Sequence, residues 1–165
     1  MNYFELFELP MNLNIDEQAI QKKYYALCRR FHPDQFMIQD EAKQQHAEQM
    51  TTLIHEARRI LLNPSQRLLY FLQEQGINTD QNRFKPDPAF LSEMMDWNEQ
   101  VDDCMGNEDE KKRIREGLLQ LADSLREPVQ QYFDRTEPEM QENELMQLLQ
   151  YYYQQQYIER LLNRL

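Results

Sequence analysis

Ile20, Tyr24, Leu27 and Phe31 fall at i, i+4, i+7 and i+11 and so share one face of a helix that Asp16 is placed to cap. The same intervals return at Met50, Ile54, Ala57 and Leu61, predicting a second helix from about Asp40 to Leu62. The first helix must stop near Phe31, because Pro33 cannot continue the hydrogen-bond ladder and the residue before a proline is pushed out of the α region. Two matching apolar stripes joined by a short loop predict an antiparallel helical hairpin.

On either side of the hairpin the pattern supplies one more helix. "NYFELFELP" is an apolar cluster closed by Pro10, long enough for one or two turns. Asn63 and Pro64 read as an N-cap and a first helical position opening "SQRLLYFLQEQ", which Gly76 ends. Residues 77–87, "INTDQNRFKPD", hold polar turn formers and Pro86 and read as a linker. Beyond them the spacing predicts three helices: Phe90 to about Met105, Glu108 to about Phe133 with a break at Pro128, and Pro138 to Leu165. The first of these repeats the same stripe at Phe90, Met94, Trp97 and Val101. Only three glycines occur in 165 residues, so little material exists for tight hairpins, and the expected fold class is all-α. The expected organisation is a four-helix unit over 1–76, a linker over 77–87 and a three-helix bundle over 88–165.

Charge separates the two parts. Residues 1–76 hold 8 basic and 10 acidic side chains, residues 77–165 hold 10 and 19, so most of the formal charge of −11 belongs to the second part. That balance argues against nucleic acid as a partner, since phosphate contacts need clustered Lys and Arg. Cys28 and Cys104 show no C-x-x-C spacing, so neither a zinc site nor a disulfide is expected. No apolar run approaches the ~20 residues of a membrane span, and no basic stretch precedes an apolar one at the start. The expectation is a soluble, cytoplasmic protein with no membrane partner, no metal and no cofactor.

Two constellations carry the chemistry. On a helical wheel Lys22 and Arg29 lie nearly opposite the Ile20/Tyr24/Leu27/Phe31 face, with Lys23 and Arg30 flanking it. This basic helix runs into "RRFHPDQF", where the proline stop holds His32 and Asp34 on a short, restricted corner beside four cations. Catalysis with His32 as base and Asp34 as orienting group lacks a placed nucleophile, a metal triad and a water-excluding pocket. A docking surface for an acidic partner fits better, the cations steering encounter and the turn supplying specificity.

The second constellation lies on the acidic helix. Leu91 and Met95 sit about 100° or more away from the Phe90/Met94/Trp97/Val101 stripe, in line with Glu99 and Asp102 and bordered by Asp96 and Asp103. Between Asp87 and Glu110 there are nine acidic residues and no basic one. Either Leu91 and Met95 pack on a neighbouring helix, or they form an apolar edge fringed by carboxylates, as a steered protein contact would use. Tyr151, Tyr152 and Tyr153 point in three directions, which leaves at least one near the surface.

These residues carry a resemblance. "YFELFELP", "IQKKYYALCRRFHPDQF" and "IHEARRILLNPSQRLLYFL" resemble a J-domain in order and spacing over residues 1–76. The resemblance implies binding of a DnaK-type chaperone ATPase through His32, Pro33 and Asp34 with Lys22, Lys23, Arg29 and Arg30, and stimulation of its ATP hydrolysis. Together with "DPAFLSEMMDWNEQVDD" and a closing helix, the whole chain is similar to the HscB family, J-type co-chaperones of iron–sulfur cluster assembly. That similarity implies an HscA-like chaperone and an IscU-like scaffold as partners, no enzymatic activity of its own, and a scaffold-binding surface at Leu91, Ser92, Met95, Asp96, Glu99, Asp103 and Tyr151. Some positions depart from the family pattern. Glu8 stands where glycine is frequent, Gln35 replaces the usual lysine after His-Pro-Asp, His55 and Arg58 replace an asparagine and an aromatic, and Ser92 shortens an apolar contact. The cysteine-rich extension of some eukaryotic members is not seen, so the resemblance brings no expectation of zinc.

Overall fold

A computed structural model of the chain describes residues 1–32, 41–81, 84–104, 106–135 and 139–165. The described residues form helices and no strand. They gather into two compact units, Met1–Gln75 with Phe133–Glu139, and Gly76–Tyr132 with Met140–Leu165.

The first unit is built on the predicted hairpin. Helix α1 is Tyr3–Leu6, α2 Glu17–Arg30, α3 Glu41–Leu62 and α4 Pro64–Glu74. The starts that Asp16 and Asn63 mark have their caps, and α1 has one as well. Asn2 and Glu5 form a reciprocal capping box on α1, the Asp16 carboxylate accepts the Gln18 N–H at 3.0 Å, and the Asn63 side chain accepts the Gln66 N–H at 3.0 Å with Pro64 in the first turn. Gly76 follows α4 at φ 79°, the left-handed backbone that glycine adopts without a Cβ clash.

The two stripes are the inner faces of α2 and α3. Ile20, Ile54, Ala57 and Leu61 are buried, whereas Tyr24, Leu27, Phe31 and Met50 are half-buried. The difference follows from position. Near the end where α2 begins and α3 closes into α4, the interior is completed by Phe4, Phe7, Leu68, Phe71 and Leu72, all buried. Each contributes ~1.5–3 kcal/mol on burial, before the entropy of ordering is subtracted. Arg67 is buried there too, 8% exposed, with Nε donating to the Leu13 carbonyl at 3.1 Å and Nη1 to the Leu61 carbonyl. Its guanidinium thus supplies donors to backbone acceptors that a leucine would leave unsatisfied.

The second unit holds α5 (Pro88–Asp103), α6 (Glu108–Arg126), a 3-10 turn over Glu127–Val129, α7 (Gln130–Phe133) up to Tyr132, and α8 (Glu142–Leu162). Helix α5 begins earlier than the apolar pattern indicated, because Pro88 occupies its first turn, and stops at Asp103 before Gly106 at φ 93°. The break at Pro128 is the 3-10 turn between α6 and α7. Pro138, the expected start of the last helix, lies outside the described residues. Helix α8 starts at Glu142, with the Glu144 carboxylate accepting the Gln141 N–H at 2.8 Å, and ends at Leu162, three residues short of the expected end.

Phe90, Met94 and Val101 of α5 meet Ile114 and Leu118 of α6 and Ile158 and Leu161 of α8 in one apolar cluster, with Trp97 packed half-buried against it. Gly117 gives α6 its close approach to that indole, since a Cβ there would stand 2.5 Å from Trp97 Cη2. Helix α8 changes its buried side along its length. At 100° per residue, Leu145, Leu148, Leu149 and Tyr153 occupy one side and Ile158 and Leu161 the opposite one. The first half faces Thr79 and Phe84: Phe84 stacks on Tyr153 at 4.3 Å and the Tyr153 hydroxyl donates to the Thr79 carbonyl at 2.7 Å. The second half faces the α5/α6 cluster. Among the described residues no helix is long and apolar enough to cross a membrane.

Candidate functional site

The basic face of α2 and the corner after it belong to the first unit. Lys22, Arg29, Arg30 and His32 are exposed, and Lys23 is half-exposed. Pro33, Asp34 and Gln35 lie outside the described residues. Within the described ones, α2 closes at Phe31, whose N–H donates to the Leu27 carbonyl at 3.0 Å. The Phe31 carbonyl in turn lies 3.3 Å from the Thr51 hydroxyl of α3, which is also 2.8 Å from the Ala47 carbonyl. The Phe31 ring meets His46 edge-on at 6.2 Å and lies under the Arg30 guanidinium at 5.4 Å. The hairpin therefore fixes the last turn of α2 from its α3 side, and His32 follows at once.

Two departures noted in the sequence act together at the seam of α2 and α3. Tyr24 lies between His55 and Arg58: its hydroxyl is 3.2 Å from His55 Nδ1, and the Arg58 guanidinium is 4.7 Å from the ring centroid. Arg58 Nε also donates to Gln21 Oε1 at 3.2 Å. The asparagine and aromatic replaced here are thus exchanged for a cation–π and imidazole contact on one tyrosine. Glu8, at φ 50°, takes the left-handed backbone that glycine would adopt without strain, and its carboxylate forms an ion pair with Lys23. The hydrogen bond and the charge of Lys23 hold the Glu8 carboxyl below its ordinary pKa. Of the four cations on α2, Lys23 is therefore already engaged, whereas among the described residues neither Lys22 nor Arg29 has a carboxylate partner. Tyr25 was not read from the sequence as part of this face. It is 60% exposed and lies at i+3 from Lys22 and i−4 from Arg29, a spacing that would have placed it on the basic stripe.

The second surface is a groove of about 730 Å³ between α5 and α8. Four of the seven residues named for it, Leu91, Met95, Asp96 and Glu99, line it together. Leu91 and Met95 are 36% and 72% exposed, beside Met94 at 5%, so Met95 above all is left open to the exterior. The geometry of α5 divides the set into two neighbouring rows. Leu91, Met95, Asn98 and Asp102 form one row at i, i+4, i+7 and i+11, and Ser92, Asp96, Glu99 and Asp103 form the next, one residue on. Ser92 is exposed, and Asp103 borders a separate small hollow with Glu110 and Arg113. Tyr151 is half-buried in another hollow, where its ring lies 5.7 Å from the Arg126 guanidinium. Tyr152 is also half-buried and Tyr153 is buried.

The far wall of the groove is one the sequence reading missed. Tyr157, Arg160 and Leu161 of α8 line it, together with Arg164 just beyond the helix end. The signal was present as an i, i+3, i+4, i+7 set, but the leucines and tyrosines on every side of α8 obscured it. Arg164 bridges to α5, pairing with Asp102 and donating to Asn98 Oδ1. Among the described residues no group of three or more His, Cys, Asp or Glu is arranged to hold a metal ion. Cys28 and Cys104 are free thiols.

Comparison with known proteins assigns both parts. Residues 2–70 match the family model described as the DnaJ domain, and residues 86–165 match the one described as the HSCB C-terminal oligomerisation domain. A co-chaperone protein HscB homolog of Bordetella avium is 32% identical over 81% of this chain and 80% of its own length. Another from Psychromonas ingrahamii is 34% identical over 73% of this chain and 71% of its own. The solved chaperone HscB from Vibrio cholerae superposes with a TM-score of 0.78 at 26% identity, covering 99% of this chain and 94% of that one. Human co-chaperone protein HscB, at 24% identity and a TM-score of 0.82, shares the fold. A J-domain with an exposed basic helix, followed by a helical bundle matching HscB co-chaperones in sequence and structure, places this chain in the HscB family of J-domain co-chaperones.

Proposed function

We propose that this chain is an adaptor: its J-domain, residues 1–76, addresses a DnaK-type chaperone of the HscA kind and stimulates that chaperone's ATPase, while its bundle, residues 88–165, holds an IscU-type iron–sulfur scaffold. The chaperone surface is His32, Pro33 and Asp34 with Lys22, Lys23, Arg29 and Arg30. The scaffold surface is Leu91, Ser92, Met95, Asp96, Glu99, Asp103 and Tyr151. Tethering the scaffold raises its effective concentration at the chaperone, in support of iron–sulfur protein maturation. Stimulation comes from binding the hydrolysis-competent state of the chaperone better than the other state, so the bond chemistry stays in the partner.

The observation that supports this reading best is the contrast between Met94 and Met95. One is 5% and the other 72% exposed, so α5 offers apolar side chains to the exterior as well as to its own core, in a row fringed by carboxylates. The test is steady-state ATP turnover by an HscA-type chaperone with the wild type and with Asp34→Asn, each with and without scaffold. Stimulation by the wild type, increased by scaffold and lost in Asp34→Asn, is the expected result. No stimulation by the wild type rejects the reading.

A second reading has one observation in its favour, the oligomerisation named in the description of the matching C-terminal family model. On that reading the Leu91/Met95 row joins two copies of the chain. Sedimentation velocity separates the two: a dimer that Leu91→Ala plus Met95→Ala converts to monomer, with scaffold affinity unchanged, favours self-association.

A further inference from the structure

The groove between α5 and α8 has walls of opposite charge. Asp96 and Glu99 stand on the α5 side and Arg160 and Arg164 on the α8 side, one turn apart, with Leu91, Met95 and Leu161 among the apolar side chains between them. The two arginines are not equivalent. Arg164 is committed to Asp102 and Asn98 of α5 at the surface of the bundle. Arg160 is exposed and lies over the Tyr157 ring at 5.4 Å, and among the described residues it makes no ion pair. Tyr157 is itself fixed, because its ring meets the buried Phe90 edge-on at 5.9 Å. A planar guanidinium resting on a fixed aromatic loses little rotamer freedom when a carboxylate docks on its free edge, and its fork matches two carboxylate oxygens.

We propose that Arg160 is a specificity residue of this groove and receives a carboxylate from the scaffold. The occupant is a segment that places an apolar side chain between Leu91 and Met95, a basic side chain toward Asp96 and Glu99, and an acidic side chain toward Arg160. This inference rests on the reading that the groove binds the scaffold, and adds to it a polarity. The second part of the chain holds 19 acidic against 10 basic residues, so a uniformly basic segment would be attracted to many of its faces. A lone cation on the opposite wall repels such a segment and accepts one whose charges run in the matching order, which sets both the choice of partner and the direction in which it lies.

The experiment is isothermal titration of a purified IscU-type scaffold into the full chain, comparing the wild type with Arg160→Glu, Arg160→Lys, Met95→Ala and, as a control of equal charge change on exposed Lys112 of α6, Lys112→Glu. Circular dichroism of each variant shows that the helices are retained. Arg160→Glu weakens binding about tenfold or more, Arg160→Lys retains only part of the affinity, and Lys112→Glu binds as the wild type. Exchanging the scaffold carboxylate that Arg160 contacts for lysine restores affinity to Arg160→Glu. Wild-type affinity in Arg160→Glu with a loss in Met95→Ala overturns the role of Arg160 and leaves the scaffold reading standing. Equal losses in Arg160→Glu and Lys112→Glu reduce the effect to net charge and overturn it as well. Full affinity in both Met95→Ala and Arg160→Glu removes the groove, and with it the scaffold reading. A change of oligomeric state in Arg160→Glu with scaffold affinity intact assigns the groove to a second copy of the chain and rejects the inference.

Discussion

The hydroxyl of Thr51 lies 3.3 Å from the carbonyl oxygen of Phe31, so a residue in the middle of α3 reaches the last residue before His32. The same hydroxyl is 2.8 Å from its own helix's Ala47 carbonyl, and one proton serves both acceptors. Thr51→Val keeps the β-branched shape while removing the donor. A stability loss of ~0.5–1.5 kcal/mol in urea unfolding is the expected outcome, with weaker stimulation of the chaperone ATPase because the end of α2 is no longer tied to α3. Unchanged stimulation at reduced stability would separate this tie from docking.

Met94 and Met95 predict opposite consequences for the same chemical change. Met94→Ala empties a site in the α5/α6/α8 cluster and costs about 2–5 kcal/mol, read by thermal unfolding. Met95→Ala removes a side chain that is 72% exposed, so stability stays within about 0.5 kcal/mol while scaffold affinity falls. Titration calorimetry and unfolding of the same preparations test both halves.

Gly117 predicts a substitution in which helix propensity and packing disagree. Alanine is better than glycine in a helix by about 1 kcal/mol, but its Cβ would meet the Trp97 ring at 2.5 Å. A rigid indole packed on the core moves only by disturbing that core, so Gly117→Ala destabilises by about 1–3 kcal/mol in spite of propensity. Trp97 is the sole tryptophan of the chain and its fluorescence reports the transition directly.

The Glu8–Lys23 pair predicts a pH dependence. The folded carboxyl titrates below its ordinary value, so the unfolded chain binds the proton more readily. The contribution of the pair is thus fully present above the ordinary glutamate pKa and is lost as the pH falls through the lowered folded value. Side-chain carboxyl NMR of Glu8 gives a midpoint below that of a free glutamate in the wild type and a normal one in Lys23→Gln. Added salt shifts the wild-type midpoint upward, because the pair is exposed to solvent.

Much of the architecture was legible because it is local. Asp16 and Asn63 cap the helices they precede, Pro128 interrupts α6 and α7, and the stripes of α2, α3 and α5 face inward. Helix α8 shows where one-dimensional reading loses its grip. It buries Leu145, Leu148, Leu149 and Tyr153 on one side and Ile158 and Leu161 on the other, so no single periodicity describes it and its groove-facing arginines drop out of view.

From the order of its residues alone this chain had its helices and its charge division between the two parts determined, because caps, proline stops and 3.6-residue periodicity act between neighbours. Only the tertiary structure decided that Met95, off the core stripe, is left exposed and not covered by a neighbouring helix, that Lys23 is occupied by Glu8, and that Arg160 and Arg164 face Asp96, Glu99 and Asp102 across a groove. Those pairings join positions 15 to 68 residues apart, and such contacts are set by which helices pack together and in what register, a property of the assembled core that no local pattern encodes.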